Sequence, residues 1–188
     1  MNAIGTVPNG PDVVRKVVAA TGVISTIAGN TSSYSDSGDG GAATSAGLAY
    51  PYAVALDGAG NVYIGEVARV RKVTVSSGII STVAGIGTYG YAGDGGSAVT
   101  AQVGVEPVGL AVDAAGDIYL SNGAAVREIS ASTGNIATVA GNGYFGYWGD
   151  GGSATIAGLS GVYGIALDSA GNLYLADYSN SRVRKVVP

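Results

Sequence analysis

The chain contains no cysteine and no histidine among its 188 residues. Their absence excludes disulfide bonds, thiolate or imidazole metal ligands and a thiol nucleophile, and it removes the commonest general base of enzymes. Charge is scarce as well, because 12% of the residues are charged and the net charge is −4. A small negative net charge argues against nucleic acid or an anionic membrane as the partner. We therefore expect neither of these partners and no cofactor.

Long apolar runs are also missing, and no segment reaches the length that a membrane span requires. Residues 1–4 show no basic stretch followed by an apolar one, so we expect no secretion signal in this sequence. Glycine is abundant, with 33 residues, and apolar residues make up 47% of the chain. This composition indicates a folded core whose turns are built on glycine.

A short basic tetrapeptide recurs at a nearly constant spacing. Val-Arg-Lys-Val, or a close variant, places its arginine at Arg15, Arg71, Arg127 and Arg184, which are 56, 56 and 57 residues apart. A fixed period of this size indicates one supersecondary unit repeated in tandem. All nine basic residues lie in or beside these segments. We expect them to be solvated on an outer strand that protects a sheet edge; a phosphate-binding face is the alternative.

Three further segments recur with the same period and are typical of β-strands. One is apolar and rich in small residues, one carries a tyrosine at a fixed position, and one alternates apolar and polar residues. They lie at residues 52–57, 108–113 and 163–168, at 61–64, 117–120 and 172–175, and at 23–29, 79–85 and 135–141. Asp57, Asp113 and Asp168 begin tight turns that end in glycine, where an aspartate caps backbone amides.

Four antiparallel strands per unit, repeated around an axis, form a β-propeller, so the sequence predicts an all-β fold. We expect the small-residue strand to line the centre, buried on both faces, and the arginine strand to lie toward the rim. A stacked solenoid is the other repeat architecture. Its units usually contain only one or two strands in about 20 to 45 residues, which argues against it here.

The best-preserved unit is Gly164-Ile-Ala-Leu-Asp168-Ser-Ala-Gly-Asn172-Leu-Tyr-Leu-Ala-Asp177-Tyr-Ser-Asn180-Ser-Arg182-Val. This pattern resembles the NHL repeat. With the added Thr-Val-Ala-Gly and Gly-Asp-Gly-Gly segments, it is similar to the long NHL repeats of bacterial proteins and of teneurin-type extracellular proteins. The resemblance implies a six-bladed propeller, a binding or scaffolding role and an extracellular or periplasmic location. Residues 66–69 and 121–125 depart from it, because they lack the Asp-x-x-Asn-x-Arg pattern.

The repeats divide one propeller domain, residues 1–188, into about three blades. A partial blade at 1–30 has the third and fourth strands, full repeats follow at about 31–85 and 86–141, and a partial repeat at 142–188 has the first three strands. An open arc of three blades would expose apolar faces. We therefore expect a C2 homodimer that closes one six-bladed ring, in which each junction blade takes inner strands from one C-terminus and an outer strand from the other N-terminus. A fragment of a longer protein is the alternative.

Three long connections, at residues 30–50, 86–106 and 142–161, each contain Gly-Asp-Gly-Gly after one or more aromatic residues. Exposed aromatic rings beside an aspartate can stack on and hydrogen-bond a sugar or a peptide. The alternative is that the rings cover the blade tops and each aspartate stabilises its own turn. A calcium site formed by Asp36, Asp39 and backbone carbonyls is a further alternative. The candidate binding residues are Tyr34, Asp39, Tyr89, Tyr91, Asp94, Tyr144, Tyr147, Trp148 and Asp150.

These features predict a non-catalytic binding or scaffold protein that acts through protein–protein interaction and self-assembly. Repetition of the turn aspartates in every unit favours a structural role over catalysis, because a catalytic pair is normally unique to one place. The alternative function is carbohydrate binding, with a protein, peptide or glycan as the possible ligand. One weak site per blade would make such a lectin-like propeller multivalent.

Overall fold

A computed structural model describes residues 12–30, 35–104 and 108–188 of the chain. Its strands are β1 (Val14–Val17), β2 (Ile24–Ala28), β3 (Ala53–Leu56), β4 (Val62–Glu66), β5 (Arg69–Thr74), β6 (Ile79–Ala84), β7 (Tyr91–Ala92), β8 (Gln102–Val103), β9 (Gly109–Val112), β10 (Ile118–Ser121), β11 (Val126–Ile129), β12 (Ile136–Ala140), β13 (Val162–Leu167), β14 (Leu173–Asp177) and β15 (Arg182–Val186). Four single 3-10 turns accompany them, at Ala43–Ser45, Ala98–Thr100, Ala154–Ile156 and Tyr178–Asn180. None of the helical turns in the described ranges is long and apolar enough to cross a membrane.

The strands form four consecutive antiparallel sheets in chain order. The first sheet pairs β1 with β2, the second has the order β3-β4-β5-β6, the third has β9-β10-β11-β12, and the fourth has β13-β14-β15. The short strands β7 and β8 pair separately. Two complete four-stranded units therefore lie between two incomplete ones, as the period predicts. The expected all-β fold with four-stranded antiparallel blades is confirmed.

Apolar side chains fill the space between each pair of neighbouring sheets. Val14 and Ala28 of the first sheet pack with Ile64 and other residues of the second. A second cluster joins Tyr63 and its neighbours to the third sheet, and a third cluster joins the third and fourth sheets. The repeat therefore stabilises itself by burying the faces of adjacent units against one another.

The first strand of each unit is less buried than its composition predicts. Leu56 at the end of β3 is 50% exposed, and Tyr163 on β13 is 54% exposed. In contrast, every residue of β4 is buried. The expectation of a first strand buried on both faces is wrong because β3 forms the edge of its sheet and bonds only to β4, whereas β4 lies between β3 and β5.

The tight turns behave as the sequence predicts. Asp57 Oδ1 accepts hydrogen bonds from the amides of Ala59 and Asn61, at 3.0 and 2.9 Å. Asp113 and Asp168 accept the corresponding bonds in the third and fourth sheets. These aspartates are engaged in turn capping, which supports their structural assignment.

The long connections end in compact hairpins that run along the outer edge of the next sheet. We call residues 36–47, 90–103 and 145–159 the edge hairpins. In the second sheet, Gly40 N donates to Ile80 O at 2.8 Å, and Ile80 N donates back to Gly41 O at 3.1 Å. Gly95 and Gly96 bind Ile136 of the third sheet in the same way. An edge hairpin thus covers the fourth strand, which would otherwise present unpaired backbone groups.

Each edge hairpin also bonds to the preceding sheet. Gly85 N, just after β6, donates to Ala98 O at 2.9 Å, and Gly141 N donates to Ala154 O at 2.8 Å. Gly85 has a φ of +91°, and an added Cβ would lie 2.2 Å from Ala68 O. Only glycine fits there, because both the left-handed conformation and the close approach exclude a side chain.

Candidate functional site

Eight of the nine candidate residues lie on the edge hairpins or directly before them; Tyr34 lies outside the described residues. Each edge hairpin carries one aspartate that binds the arginine of a Val-Arg-Lys-Val strand. The pairs are Asp39 with Arg71, Asp94 with Arg127, and Asp150 with Arg184. The two partners are 32 to 34 residues apart, so each pair fastens an edge hairpin to the sheet that it covers.

The pair in the third sheet shows the geometry. Arg127 Nε donates to Asp94 Oδ1 at 2.8 Å, and its Nη1 donates to Gln102 O at 2.7 Å. The second carboxylate oxygen of Asp94 accepts the amide of Thr138 on β12, at 3.1 Å. The second sheet repeats the arrangement with Arg71 and Asp39. One carboxylate therefore binds both the third and the fourth strand of a blade, in charge-assisted hydrogen bonds.

These contacts change the pKa of the aspartates. Burial alone would raise the pKa of Asp39, but hydrogen bonds from Thr82 and Arg71 outweigh it and lower the pKa. At Asp94, burial likewise would raise the pKa, but the hydrogen bonds from Thr138 and Arg127 outweigh it and the pKa is lowered. Both groups are thus held as carboxylates, which suits a structural ion pair better than acid–base catalysis.

The expectation of solvated basic residues is wrong for the arginines at the centre of this arrangement. The side chains of Arg71 and Arg127 are 0% exposed. The edge hairpin, and not solvent, covers this side of the sheet, and its carbonyl oxygens accept hydrogen bonds from both Nη groups of each guanidinium. Arg15 and Lys16 on β1 do remain exposed. The alternative interpretation was that each of these aspartates stabilises its own turn. In the structure, they also join segments that are distant in the sequence.

The two aspartates of the calcium alternative face arginines. Asp36 pairs with Arg69, and Asp39 pairs with Arg71. In the described ranges, no group of three or more carboxylate, histidine or cysteine side chains is placed to hold a metal ion. The donor set therefore does not fit a calcium site, which needs six or more oxygen ligands.

Three of the candidate aromatic residues make contacts within the chain, although each of them stays partly exposed. Tyr91 donates or accepts a hydrogen bond with Thr138, and the Arg127 guanidinium carbon lies 4.9 Å from its ring centroid. Tyr147 hydrogen-bonds Asp150 at 2.9 Å, and Trp148 Nε1 donates to Ile156 O at 3.0 Å. The rings of Tyr91 and Tyr147 lie over the arginines of the ion pairs in their sheets. Their contacts do not repeat as one identical ligand site per blade.

Tyr89 and Tyr144 are more exposed, at 63% and 74%. Tyr144 lines a cleft of about 420 Å³ together with Tyr91, Asn122, Asn142 and Phe145. We call it the Tyr91 cleft. Tyr91 and Tyr144 are among the candidates that the sequence predicts, whereas the asparagines and the phenylalanine are not. The signal that marks the cleft is the departure of residues 121–125 from the repeat pattern.

A buried carboxylate lies at the end of β4 in the second sheet, and Asp177 is its buried counterpart at the end of β14. Glu66 is 0% exposed; its Oε2 accepts the amide of Ala49 at 3.0 Å, and its Oε1 lies 3.7 Å from Arg71 Nη1. Burial raises the pKa of Glu66 from 4.5 to about 7, against the lowering effects of the Ala49 amide and Arg71. The Glu66 Oε1 atom is buried with no hydrogen-bond partner.

Family models match both ends of the described fold. A model of the teneurin NHL domain matches residues 8–92, and a model of the NHL repeat matches residues 163–186. The chain contains NHL repeats. The NHL repeat match falls on the fourth sheet, where Asp177, Asn180 and Arg182 retain the full Asp-x-x-Asn-x-Arg pattern. There Asn180 Nδ2 donates to Asp177 Oδ2 at 2.8 Å, which explains how the pattern orders this turn.

Solved structures share the fold of these NHL repeats. A structural-genomics protein of unknown function from Bacteroides thetaiotaomicron is 21% identical with a TM-score of 0.72, over 92% of this chain and 41% of that one. The extracellular domain of a one-component system from the same organism is 13% identical with a TM-score of 0.53, over 97% of this chain and 21% of that one. A streptogramin B lyase is 19% identical over 73% of this chain and 37% of that one, and its TM-score of 0.48 is too low to support a shared fold.

The NHL chain therefore spans less than half the length of these solved structures. Identities this low show the fold alone. None of the curated proteins compared with the chain is significantly similar to it in sequence.

Replacing Asp94 by asparagine should destabilise the fold strongly, because it leaves the fully buried Arg127 without its counter-charge. We expect a loss of about 3 kcal/mol in the free energy of unfolding, near the lower end for a broken buried ion pair because Asp94 itself is partly exposed. Urea denaturation followed by circular dichroism measures this loss. Asp150→Asn is the matched control and should cost clearly less, because its carboxylate is 60% exposed. Equal losses in both variants would contradict the assignment.

Glu66 should make the protein less stable as the pH rises. A carboxyl group whose folded pKa is raised contributes its stability below pH 4.5 and loses it as the pH increases to about 7. We expect a decrease of a few kcal/mol across this window, since one pKa unit corresponds to about 1.4 kcal/mol. Urea denaturation between pH 4.5 and 8 measures it.

The control for this pH dependence is Glu66→Gln. Burial also raises the pKa of Glu128, so the wild-type slope contains a second contribution. The difference between the wild-type and Glu66→Gln curves isolates Glu66. Parallel curves for the two proteins would show that Glu66 titrates normally.

Proposed function

We propose that this chain is a non-catalytic binding and scaffold propeller that acts through protein–protein interaction and self-assembly. The observation that carries this proposal is a pair of complementary incomplete sheets. The first sheet has the third and fourth strands of a blade but no edge hairpin against them among the described residues. The fourth sheet has an edge hairpin and three strands but no fourth strand in the described part of the chain.

The fourth sheet leaves a cavity of about 530 Å³ where β6 and β12 lie in the complete sheets. Gly151, Gly152, Leu175, Arg184 and Val186 are among the residues that line it. In the complete sheets, the corresponding glycines bond to the backbone of the fourth strand. The cavity therefore has the chemistry of a slot for one β-strand.

Strand β2 has the sequence that such a slot accepts. Ile24, Thr26 and Ala28 occupy the positions of Ile80, Thr82 and Ala84 on β6, with the same register against the arginine strand. Ile80 is 0% exposed beneath its edge hairpin, whereas Ile24 is 48% exposed. The isoleucine position that is buried in β6 is therefore half-exposed in β2.

The occupant that we propose is β2 of a second copy of this chain. Its Thr26 amide would bind Asp150, as Thr82 binds Asp39 and Thr138 binds Asp94 in the complete sheets. Since β1 and β15 carry the same Val-Arg-Lys-Val sequence, one of them is displaced at each junction. Two such junctions related by a two-fold axis give a C2 dimer, with three blades from each chain in a six-bladed ring.

A non-catalytic role is consistent with the chemistry of the repeated carboxylates. Asp57 and Asp168 cap turns, and Asp39 and Asp94 are bound to arginines and a threonine amide. Without histidine or cysteine, the chain offers neither an imidazole base nor a thiol nucleophile. Carbohydrate binding is the second candidate function, and the Tyr91 cleft is the observation that favours it.

Replacing Ile24 by aspartate should convert a dimer into a monomer. The substitution adds a charge at a half-exposed position of the single chain, but it would place that charge beneath the edge hairpin of a second copy, where desolvation is costly. Light scattering coupled to size-exclusion chromatography at micromolar concentrations measures the mass. We expect about twice the 18.3 kDa chain mass for the wild type and the monomer mass for Ile24→Asp.

Val23→Asp is the matched control for the strand-exchange dimer. Val23 is 59% exposed, and Ile79, its counterpart in a complete sheet, remains 42% exposed. This variant should therefore stay dimeric. A monomeric wild type, or a dimer that Ile24→Asp leaves intact, would overturn the proposed self-assembly.

A further inference from the structure

The Tyr91 cleft exists in one repeat because that repeat lacks charged side chains that its neighbours carry. In the second sheet, Asp36 pairs with Arg69, and Glu66 lies buried beneath them. When the edge hairpins are aligned on Asp39 and Asp94, Asp36 corresponds to Tyr91. When the strands are aligned on Arg71 and Arg127, Arg69 and Glu66 correspond to Ala125 and Asn122 of the third sheet. The repeat therefore replaces two acids and one base by uncharged groups at a single place.

The neighbouring repeats fill the equivalent space with an arginine. Arg69 Nη2 donates to Ile86 O at 3.3 Å, and an added Cβ at Gly87 would lie 2.8 Å from the same nitrogen. In the fourth sheet, the Arg182 guanidinium carbon lies 3.9 Å from the Tyr147 ring centroid. Ala125 is too short to reach that far, and a cleft of about 420 Å³ remains in the third sheet.

Two side-chain amides line the cleft. Asn122 Oδ1 accepts the amide of Ala125 at 3.1 Å, and Asn142 Oδ1 accepts the amide of Tyr144 at 3.0 Å. Because these bonds fix each carboxamide oxygen, they orient the NH2 groups as the donors that remain for a ligand. Gly104 keeps this space accessible, since an added Cβ there would lie 2.6 Å from Asn122 Cβ.

Aromatic rings supply the apolar part of the cleft. Tyr144 and Phe145 are 74% and 71% exposed, and Tyr91 is 39% exposed. Among the described residues, none of the side chains that line the cleft is acidic or basic. Rings that present apolar faces beside a few fixed hydrogen-bond donors suit a ligand that carries both C–H surfaces and oxygen acceptors.

We propose that the Tyr91 cleft binds a neutral sugar residue, which stacks on Tyr144 or Phe145 and accepts hydrogen bonds from Asn122 and Asn142. An uncharged cleft disfavours sialylated or sulfated sugars, because it offers no cation to pair with their anionic groups. The site occurs once in the described chain and not once per blade. It lies within one chain, so it does not depend on the proposed self-assembly.

A glycan array probed with the fluorescently labelled full chain tests the proposal. Neutral glycans should bind, and their sialylated or sulfated counterparts should not. The strongest neutral glycan is then titrated by calorimetry against the wild type and Tyr144→Ala. We expect binding to weaken roughly three- to tenfold when this exposed ring is removed.

Three variants sharpen this experiment. Tyr89→Ala is the matched control, because Tyr89 is a similarly exposed tyrosine that does not line the cleft, and it should bind like the wild type. The double variant Tyr91→Asp and Ala125→Arg rebuilds the ion pair of the second sheet, and it should fold with normal circular dichroism but lose glycan binding. Ile24→Asp should bind the glycan unchanged, which separates this site from self-assembly.

The proposal is overturned if the chain binds no neutral glycan on the array. It is also overturned if the Tyr144→Ala and Tyr89→Ala variants bind the selected glycan with equal affinity. A peptide array incubated with the same labelled chain distinguishes the other class of ligand. Binding to peptides alone would assign the cleft to protein recognition and would reject the sugar.

Discussion

The structure depends on a buried arginine that holds each edge hairpin against its sheet. Each of Arg71 and Arg127 is enclosed by one edge hairpin. That hairpin contributes an aspartate carboxylate and backbone carbonyls from both of its arms. A buried guanidinium is costly unless every proton is directed at an acceptor, so the hairpin must fold in one geometry. The constraint orders the long glycine-rich connections as hairpins along the second, third and fourth sheets. It also explains why Gly-Asp-Gly-Gly and Val-Arg-Lys-Val recur together.

The edge hairpin links successive units in the chain. It bonds to the end of the preceding sheet through glycine and to the outer strand of the next sheet through its own glycines. The edge hairpins and fourth strands that stabilise the two complete sheets lack their counterparts in the two incomplete sheets of the described chain. The same kind of contact therefore stabilises a single chain and would also join it to a second copy. This is typical of repeat proteins, in which each unit is stabilised by its neighbours. The Tyr91 cleft follows from the opposite change, because one repeat has exchanged charged side chains for neutral ones.

Most of the fold could be predicted from the sequence, but the partners of the charged residues could not. Alternation and small-residue patterns located the strands of all four sheets, and the turn role of Asp57 followed from its local spacing to glycine. The ion pair of Asp94 with Arg127 spans 33 residues, and no local pattern indicates which side chains meet over that distance. An arginine in a strand normally faces solvent, so its burial was missed. Residues 121–125 were visible as a departure from the pattern, although the cleft that they open depends on Asn142 and Phe145 from the next connection.

Hydrogen exchange at three equivalent threonine amides tests the central claim most directly. Thr82 and Thr138 donate to Asp39 and Asp94, whereas Thr26 occupies the same position on the uncovered strand β2. We predict that NMR will show slow exchange for Thr82 and Thr138 at every protein concentration. Thr26 should exchange quickly in the monomer and slowly once chains associate. Exchange of Thr82 or Thr138 as fast as that of Thr26 in the monomer would contradict the claim that the arginine–aspartate pairs hold the edge hairpins on their sheets.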